Sequence, residues 1–238
     1  RTPAGQYPLH GALCALLNPP TFHPATVAMT VNAGNIVADN DSVSGVNGLT
    51  GAADVLNVLP GDTLNGNPAL LGGSGNISMS VVTPATPISG GPVPTLNVAT
   101  GLVSVPAGTP AGAYNITYQI CETLNPLNCT TAVATVNVAP APIIATDDIA
   151  PAAGGIAGNP NAVNIFPNDT LNGVPVNIAD LTTTIVTPAA NPGIVLDPVT
   201  GIVSVAPNTP AGSYTIVYQI CENLNPANCD QATVTVPV

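Results

Sequence analysis

The sequence predicts an all-β chain of sandwiches in tandem, and three observations carry that expectation. The stretch "AGTPAGAYNITYQICETLNPLNC" at 107–129 returns as "PNTPAGSYTIVYQICENLNPANC" at 207–229, a spacing of 100. Within the repeated segments apolar and polar residues alternate, as they do along a half-buried strand. Between them lie clusters of Gly, Pro, Asn and Asp, and no segment carries a convincing helical period.

The repeats set the organisation. A second block, "LPGDTLNG" at 59–66, matches "FPNDTLNG" at 166–173 with a spacing of 107. Between the two blocks the first copy therefore carries seven more residues, the Gly-rich "LLGGSGN" among them. Such an insertion belongs in surface loops. The opening "RTPAGQYPLHGALCALLNPP" aligns with "GTPAGAYNITYQICETLNPL", and "PATVAMTV" fits the closing "QATVTVPV". The expected division is 1–33, the closing hairpin of a preceding, incomplete and divergent copy, then full copies at 34–139 and 140–238. On this reading the chain is a window onto a longer array. Gly11 and Phe22 stand where the full copies have a core tyrosine and the second cysteine.

Side-chain parity places the strands. In "YTIVYQIC", Tyr214, Ile216, Tyr218 and Ile220 share one face, with Thr215, Val217, Gln219 and Cys221 on the other. In "CDQATVTVPV", Val234, Val236 and Val238 share a face opposite Cys229, Gln231, Thr233 and Thr235. "LDPVTGIVSV" reads as a second hairpin, with Pro198 presetting the turn and Gly201 available for positive φ. "TPAGSY" makes a tight corner into the tyrosine strand, similar to the tyrosine corner of immunoglobulin-like sandwiches. Each copy holds about seven short strands, so the fold class is an immunoglobulin-like Greek-key sandwich repeated end to end.

Both cysteines of each full copy fall on the more polar face of adjacent strands. That parity predicts the disulfides Cys121–Cys129 and Cys221–Cys229. Zinc would require two further soft ligands, and the full copies contain no histidine. A disulfide closing so short a loop contributes about 2.5 kcal/mol and implies an oxidising compartment. Cys14 is left over as a divergent half-pair.

Charge excludes several functions. The chain has one basic residue, Arg1, against twelve acids, a net charge of −11. Nucleic acid and anionic membranes would be repelled. No run of eighteen apolar residues exists to span a bilayer. Residues 24–238 contain no His, Lys or Arg, which removes histidine- and lysine-based catalysis, and no enzyme is expected. The acids that remain cluster near the start of each copy. "IVADND" holds Asp39 and Asp41, "IIATDD" holds Asp147 and Asp148, and 21 residues after the last of each pair come Asp62 and Asp169. Calcium at Asp147, Asp148 and Asp169 is one reading. Turn formation and strand capping is the other.

The motifs "NDTLNG", "LDPVTGIVSV", "TPAGSYTIVYQICENLNPANC" and "ATVTV" resemble the immunoglobulin-like repeats of very large secreted surface adhesins of Bacteroidetes. The resemblance covers the two full copies well and 1–31 poorly. It implies an extracellular stalk or fibre on the cell surface. It also implies O-glycans at Asp-Ser/Thr-aliphatic sites, which here are Ser42, Thr63 and Thr170.

Three functions are consistent with these features. The leading one is a non-catalytic stalk or fibre segment whose partners are neighbouring repeats of the same chain, projecting an adhesive region of unknown ligand. A glycan- or protein-binding module would want aromatics or charges on one loop set, and aromatics make up only 3% of the chain. A self-associating filament subunit would use the N-terminal hairpin to complete a neighbour's sandwich. At the junctions, "VAPAPIIATD" at 138–147 is held extended by its prolines. The equivalent "VNAGNIVAD" has a glycine and is expected to be looser. Peptide mass spectrometry of native-source protein is expected to find hexose adducts on Thr63 and Thr170; both sites unmodified at full occupancy would remove the glycan assignment.

Overall fold

Strand after strand alternates buried and exposed residues, and the sheets follow from that pattern. The computed structural model describes residues 2–15 and 21–238, with the side chains of 13–23 outside the description. In the first full copy a four-stranded sheet runs in the order Asp41–Asn47, Asn125–Ala139, Gly112–Glu122, Ile77–Thr83. Its first strand is parallel to its second and the other pairs are antiparallel. Facing it is a three-stranded sheet of Ala52–Asn57, Leu102–Val105 and Thr95–Asn97. The second copy repeats both orders, with Asp148–Ile149, Cys229–Pro237, Ser213–Glu222 and Leu181–Thr187 against Asn159–Asn164, Ile202–Val205 and Ile194–Leu196. The fold is all-β, two β-sandwiches in series; among the described residues the one helical turn is the 3₁₀ segment Ile178–Asp180.

Each sandwich has its own core of β-branched aliphatics. Ile216, Tyr218, Ile220, Val234 and Val236 are buried in the second, as the parity of their strands requires. Tyr114, Ile116, Tyr118, Ile120, Val136 and Val138 do the same in the first. The tyrosine corner is present in every copy. Tyr7, Tyr114 and Tyr214 each donate a hydroxyl hydrogen bond to the carbonyl of the proline four residues earlier, at 2.8, 2.8 and 3.0 Å. In the predicted second hairpin, Val199 N–H donates to Asp197 Oδ1 and Gly201 takes φ 73° against the Phe166 ring. "LNG" forms a tight turn of two left-handed residues, Asn65 and Gly66 in one copy and Asn172 and Gly173 in the other.

The N-terminal hairpin Gly5–Ala15 and Thr21–Val31 pairs Gly5 with Val31 and Cys14 with Phe22 along the backbone. The same offsets pair Gly112 with Val138 and Cys121 with Cys129. It is a two-stranded sheet, and Leu9, Val27 and Met29 lie exposed. Their counterparts Ile116, Ala134 and Val136 are buried. The side chains of Cys14 and Phe22 lie outside the described residues.

The seven-residue expansion of the first copy divides in two. Ile77 aligns with Leu181, an offset of 104, so three of the extra residues precede that strand. Leu96, opposite Val103, aligns with Leu196, opposite Val203, an offset of 100 that places the other four in 84–94.

Cys121–Cys129 and Cys221–Cys229 are bonded as cross-strand pairs with Cα atoms 4.1 Å apart. Replacing both Cys221 and Cys229 with alanine is expected to lower unfolding free energy by about 2.5 kcal/mol in denaturant titrations. Intact mass of unreduced protein with four alkylatable thiols at these positions would contradict the pairing.

Candidate functional site

The disulfide-closed loops meet the preceding copy, and their geometry starts from strand parity. The inward alternation of Ile116, Tyr118 and Ile120 continues one step past the strand core, which turns Glu122 inward; Glu222 follows by the same step and is 1% exposed. A buried carboxylate needs donors, and this chain has almost no cations to supply them. Asparagines of the loop supply them to Oε2 of each glutamate, while Glu222 Oε1 is buried without a partner. Glu222 Oε2 accepts from Asn225 Nδ2 at 2.9 Å and from Asn228 Nδ2 at 2.8 Å. Glu122 Oε2 accepts from Asn128 Nδ2 and from the Gly34 backbone N–H, both at 2.9 Å. Burial alone would raise the Glu122 pKa, but hydrogen bonds from Asn125, Gly34 and Asn128 together outweigh it and hold the carboxyl below its ordinary range.

The same asparagines reach across the junction. Asn225 Oδ1 accepts from Ala111 N–H of the first copy at 2.6 Å. Asn125 Oδ1 accepts from Ala4 N–H of the hairpin, also at 2.6 Å. Ala4 and Ala111 occupy the same place in "TPAG". Asn228 Nδ2 holds the Ala141 carbonyl and Asn128 Nδ2 the Gly34 carbonyl, both at 2.7 Å, so the loop grips the incoming linker too. Ala141 is buried in the second core between exposed Pro140 and Pro142. Around this contact, Leu49 packs against the second core and Asn47 Nδ2 donates to Asn172 Oδ1 at 2.8 Å. Ile88 and Ser89, in the four-residue part of the expansion, line the cleft that also holds Pro110, Leu224 and Asn225. That part of the expansion lines the junction cleft, with Ile88 packed on the core of its own copy. Gly34, read as a loosening residue, sits where a Cβ would collide with the Leu64 side chain.

The clustered aspartates do something else. Tyr218 and Tyr118 are fully buried, and each hydroxyl lies among acidic and carbonyl oxygens. Tyr218 OH is 3.1 Å from Asp148 Oδ2, 3.3 Å from Asp169 Oδ2 and 3.3 Å from the Thr146 carbonyl. Tyr118 OH is 3.2 Å from Asp41 Oδ2, 3.4 Å from Asp62 Oδ2 and 3.1 Å from the Asp39 carbonyl. Asp169 Oδ1 accepts from Thr146 N–H and Asp62 Oδ1 from Asp39 N–H, each at 2.8 Å. Desolvation is the main reason both carboxyls rise to a pKa of about 6, with the neighbouring aspartate adding to it.

Asp147, Asp148 and Asp169 do not converge on a cation position. Asp147 Oδ1 accepts from Thr233 N–H, and the Tyr218 hydroxyl bonds both Asp148 and Asp169. Among the described residues no three His, Cys, Asp or Glu side chains gather as a metal site. Asp147 and Asp169 each accept from a backbone N–H, as the turn and capping reading expects. Of the three glycan positions, Ser42 is exposed, while Thr63 and Thr170 are half-buried in two-residue strands.

No protein-family model matches the sequence, and no curated protein matches it either. Among solved structures the chain is similar to protocadherin gamma B2 extracellular cadherin domains 3–6, with a TM-score of 0.35 and 14% identity over 98% of this chain and 58% of that one. Mouse cadherin-23 EC22–24 gives 0.35 and 14% over 98% and 74%. The human desmocollin-1 ectodomain gives 0.33 and 11% over 98% and 47%. Likeness at this level assigns neither ligand nor partner.

The glutamate, both asparagines and the Ala N–H escape a reading of "CETLNPLNC" as a stapled turn. The available signal was parity, which already turned Glu122 and Glu222 toward the core. The raised carboxyls set a pH dependence. An acid whose folded pKa exceeds its unfolded value of 3.8 stabilises the fold fully below that value, and loses this contribution as pH rises through about 6. The protein is expected to melt higher at pH 4.5 than at pH 7. Asp62→Asn and Asp169→Asn should each gain up to about 3 kcal/mol at pH 7 and flatten that window. Thermal melts across pH 4–8 check it; a steeper loss toward acid would contradict it.

Proposed function

We propose that this chain is a non-catalytic spacer, a stalk or fibre segment of an extracellular adhesin, whose sandwiches join through the stapled loops. The observation that carries the reading is the same hydrogen bond at both junctions, an asparagine Oδ1 on a "TPAG" alanine N–H at 2.6 Å. A linker whose alanine is buried and whose carbonyl is gripped supports a fixed junction. Disulfides fit an oxidising exterior. Among the described residues no helix is long and apolar enough to cross a membrane. The domain division 1–33, 34–139 and 140–238 and the Bacteroidetes-type surface origin belong to this same reading.

A second reading has one specific support. The uncovered Leu9, Val27 and Met29 face favours a filament subunit whose hairpin completes another chain's sandwich. Small-angle scattering with light scattering on the full chain separates the two. The spacer should be monomeric with a radius of gyration on the order of 28 Å, the reach of end-to-end strands. A compact particle of this length would have about 18 Å. A compact monomer would sink the spacer reading, and growth of the particle with concentration would favour the filament.

A further inference from the structure

The far end of the second copy has the elements that, in the first copy, receive the next sandwich. Gly155 stands where Gly48 does, and each glycine carbonyl accepts from the threonine of "TPAG", Thr209 or Thr109, at 3.0 Å. A Cβ on either glycine would strike that threonine's carbonyl oxygen, so the crossing is built the same way in both. Ile156 therefore takes the place of Leu49, and Ala211 that of Ala111. The closing pair is also the same, Gly212 with Val238 against Gly112 with Val138.

What differs is the cover. Leu49 is packed on the neighbouring core, whereas Ile156 is 87% exposed. Pro110 is buried and Ala111 half-buried, whereas Pro210 and Ala211 are exposed. Tyr114 is 1% exposed and Tyr214 half-buried. Part of this comes from the shorter loop of the second copy, which lacks the counterpart of Ile88. The rest is the surface that the second copy covers on the first.

We infer that Gly155-Ile156 with Pro210-Ala211 is a docking platform for a further β-sandwich carrying the loop Cys-Glu-x-Leu-Asn-Pro-x-Asn-Cys. The occupant is set by the chemistry of two existing contacts. An exposed backbone N–H between proline and glycine takes an asparagine Oδ1, and an exposed aliphatic beside it takes the apolar rim of the next core. Gly154 replaces Asn47, so the side-chain bond to an Asn172 equivalent is absent here and the contact rests on Ile156 and Ala211. This inference rests on the spacer reading, yet it can fail while that reading stands, because scattering of the unextended chain does not test it.

The experiment extends the full chain after Val238 with a second copy of residues 139–238 and follows amide hydrogen exchange at Ala211. Docking predicts that Ala211 exchange slows by about tenfold or more relative to the unextended chain. Asn225→Ala in the appended copy alone, or Ile156→Asp in the original, should restore fast exchange. As a probe independent of folding of the appended copy, the oxidised nonapeptide of residues 221–229 at millimolar concentration should shift the Ala211 amide and Ile156 methyl resonances, and its Asn225→Ala form should not. Unchanged Ala211 exchange with a folded appended copy, or no peptide-induced shift, overturns the platform. Concentration-dependent protection of Ala211 in the unextended chain that persists with Asn125→Ala and Asn225→Ala would also overturn it, assigning the surface to a second copy of this chain held by something other than the loop.

Discussion

A carboxylate buried beside each disulfide is the constraint on which the junctions depend. Glu122 and Glu222 are 8% and 1% exposed in a chain whose only cationic side chain is Arg1. A buried charge without a counter-ion is stable only when hydrogen bonds replace its hydration. Amides of the loop are the available donors, so the loop must place asparagines around the carboxylate. Once Asn225 commits its Nδ2 to Glu222, its Oδ1 is left facing outward, where Ala111 N–H meets it. Orientation inside the loop and recognition outside it are one event.

The tyrosine clusters solve a related problem by a different route. Tyr118 and Tyr218 lie at the centre of long core strands, so their hydroxyls cannot reach solvent. Aspartates at the mouth of each sandwich provide acceptors, and their other oxygens cap backbone N–H groups of the entering chain. Two carboxylates near one hydroxyl cannot both be comfortable as anions in a desolvated place, so one is pushed toward its neutral form. The cluster ties the start of Asp41–Asn47, and of Asp148–Ile149, to the middle of its core at the cost of stability near neutral pH.

Alternation made the strands, their faces, the hairpin registers and the cysteine pairs legible, because a period of two is imposed by the pleat itself. The tyrosine corner was legible from its motif, a tight "TPAG" turn leading into a tyrosine at the start of a strand. Partners across a junction were not. Leu-Asn-Pro reads as a turn because asparagine and proline favour turns, and nothing local distinguishes an amide that caps its own loop from one that bonds a neighbour. In the aspartate clusters, sequence proximity puts acids near one another without fixing where their oxygens point. Asp147 turns to Thr233 N–H, and that choice is made by the parallel pairing of Asp148–Ile149 with Cys229–Pro237. The expansion was visible as seven residues, but its split into three and four needed the strand register.

On the proposed spacer reading, the parallel pairing of Asp41–Asn47 with Asn125–Ala139 and of Asp148–Ile149 with Cys229–Pro237 suits each sandwich to tension. In the first copy Asp41–Asn47 runs beside Asn125–Ala139 through six paired positions, from Asp41 with Ala134 to Asn47 with Ala139. Pulling the two ends of a copy apart drags these strands past each other along their length, so their slanted hydrogen bonds are strained together and not one at a time. The incoming linker is held by Asn128 or Asn228 at the base of the last strand, and the disulfide closes that base so the hairpin cannot open there. Force entering at Gly34 or Ala141 thus reaches the loop, the staple and the sheared strand pair before it reaches the core. The repeated loop joins one sandwich to the next and also fixes where load enters the one that follows.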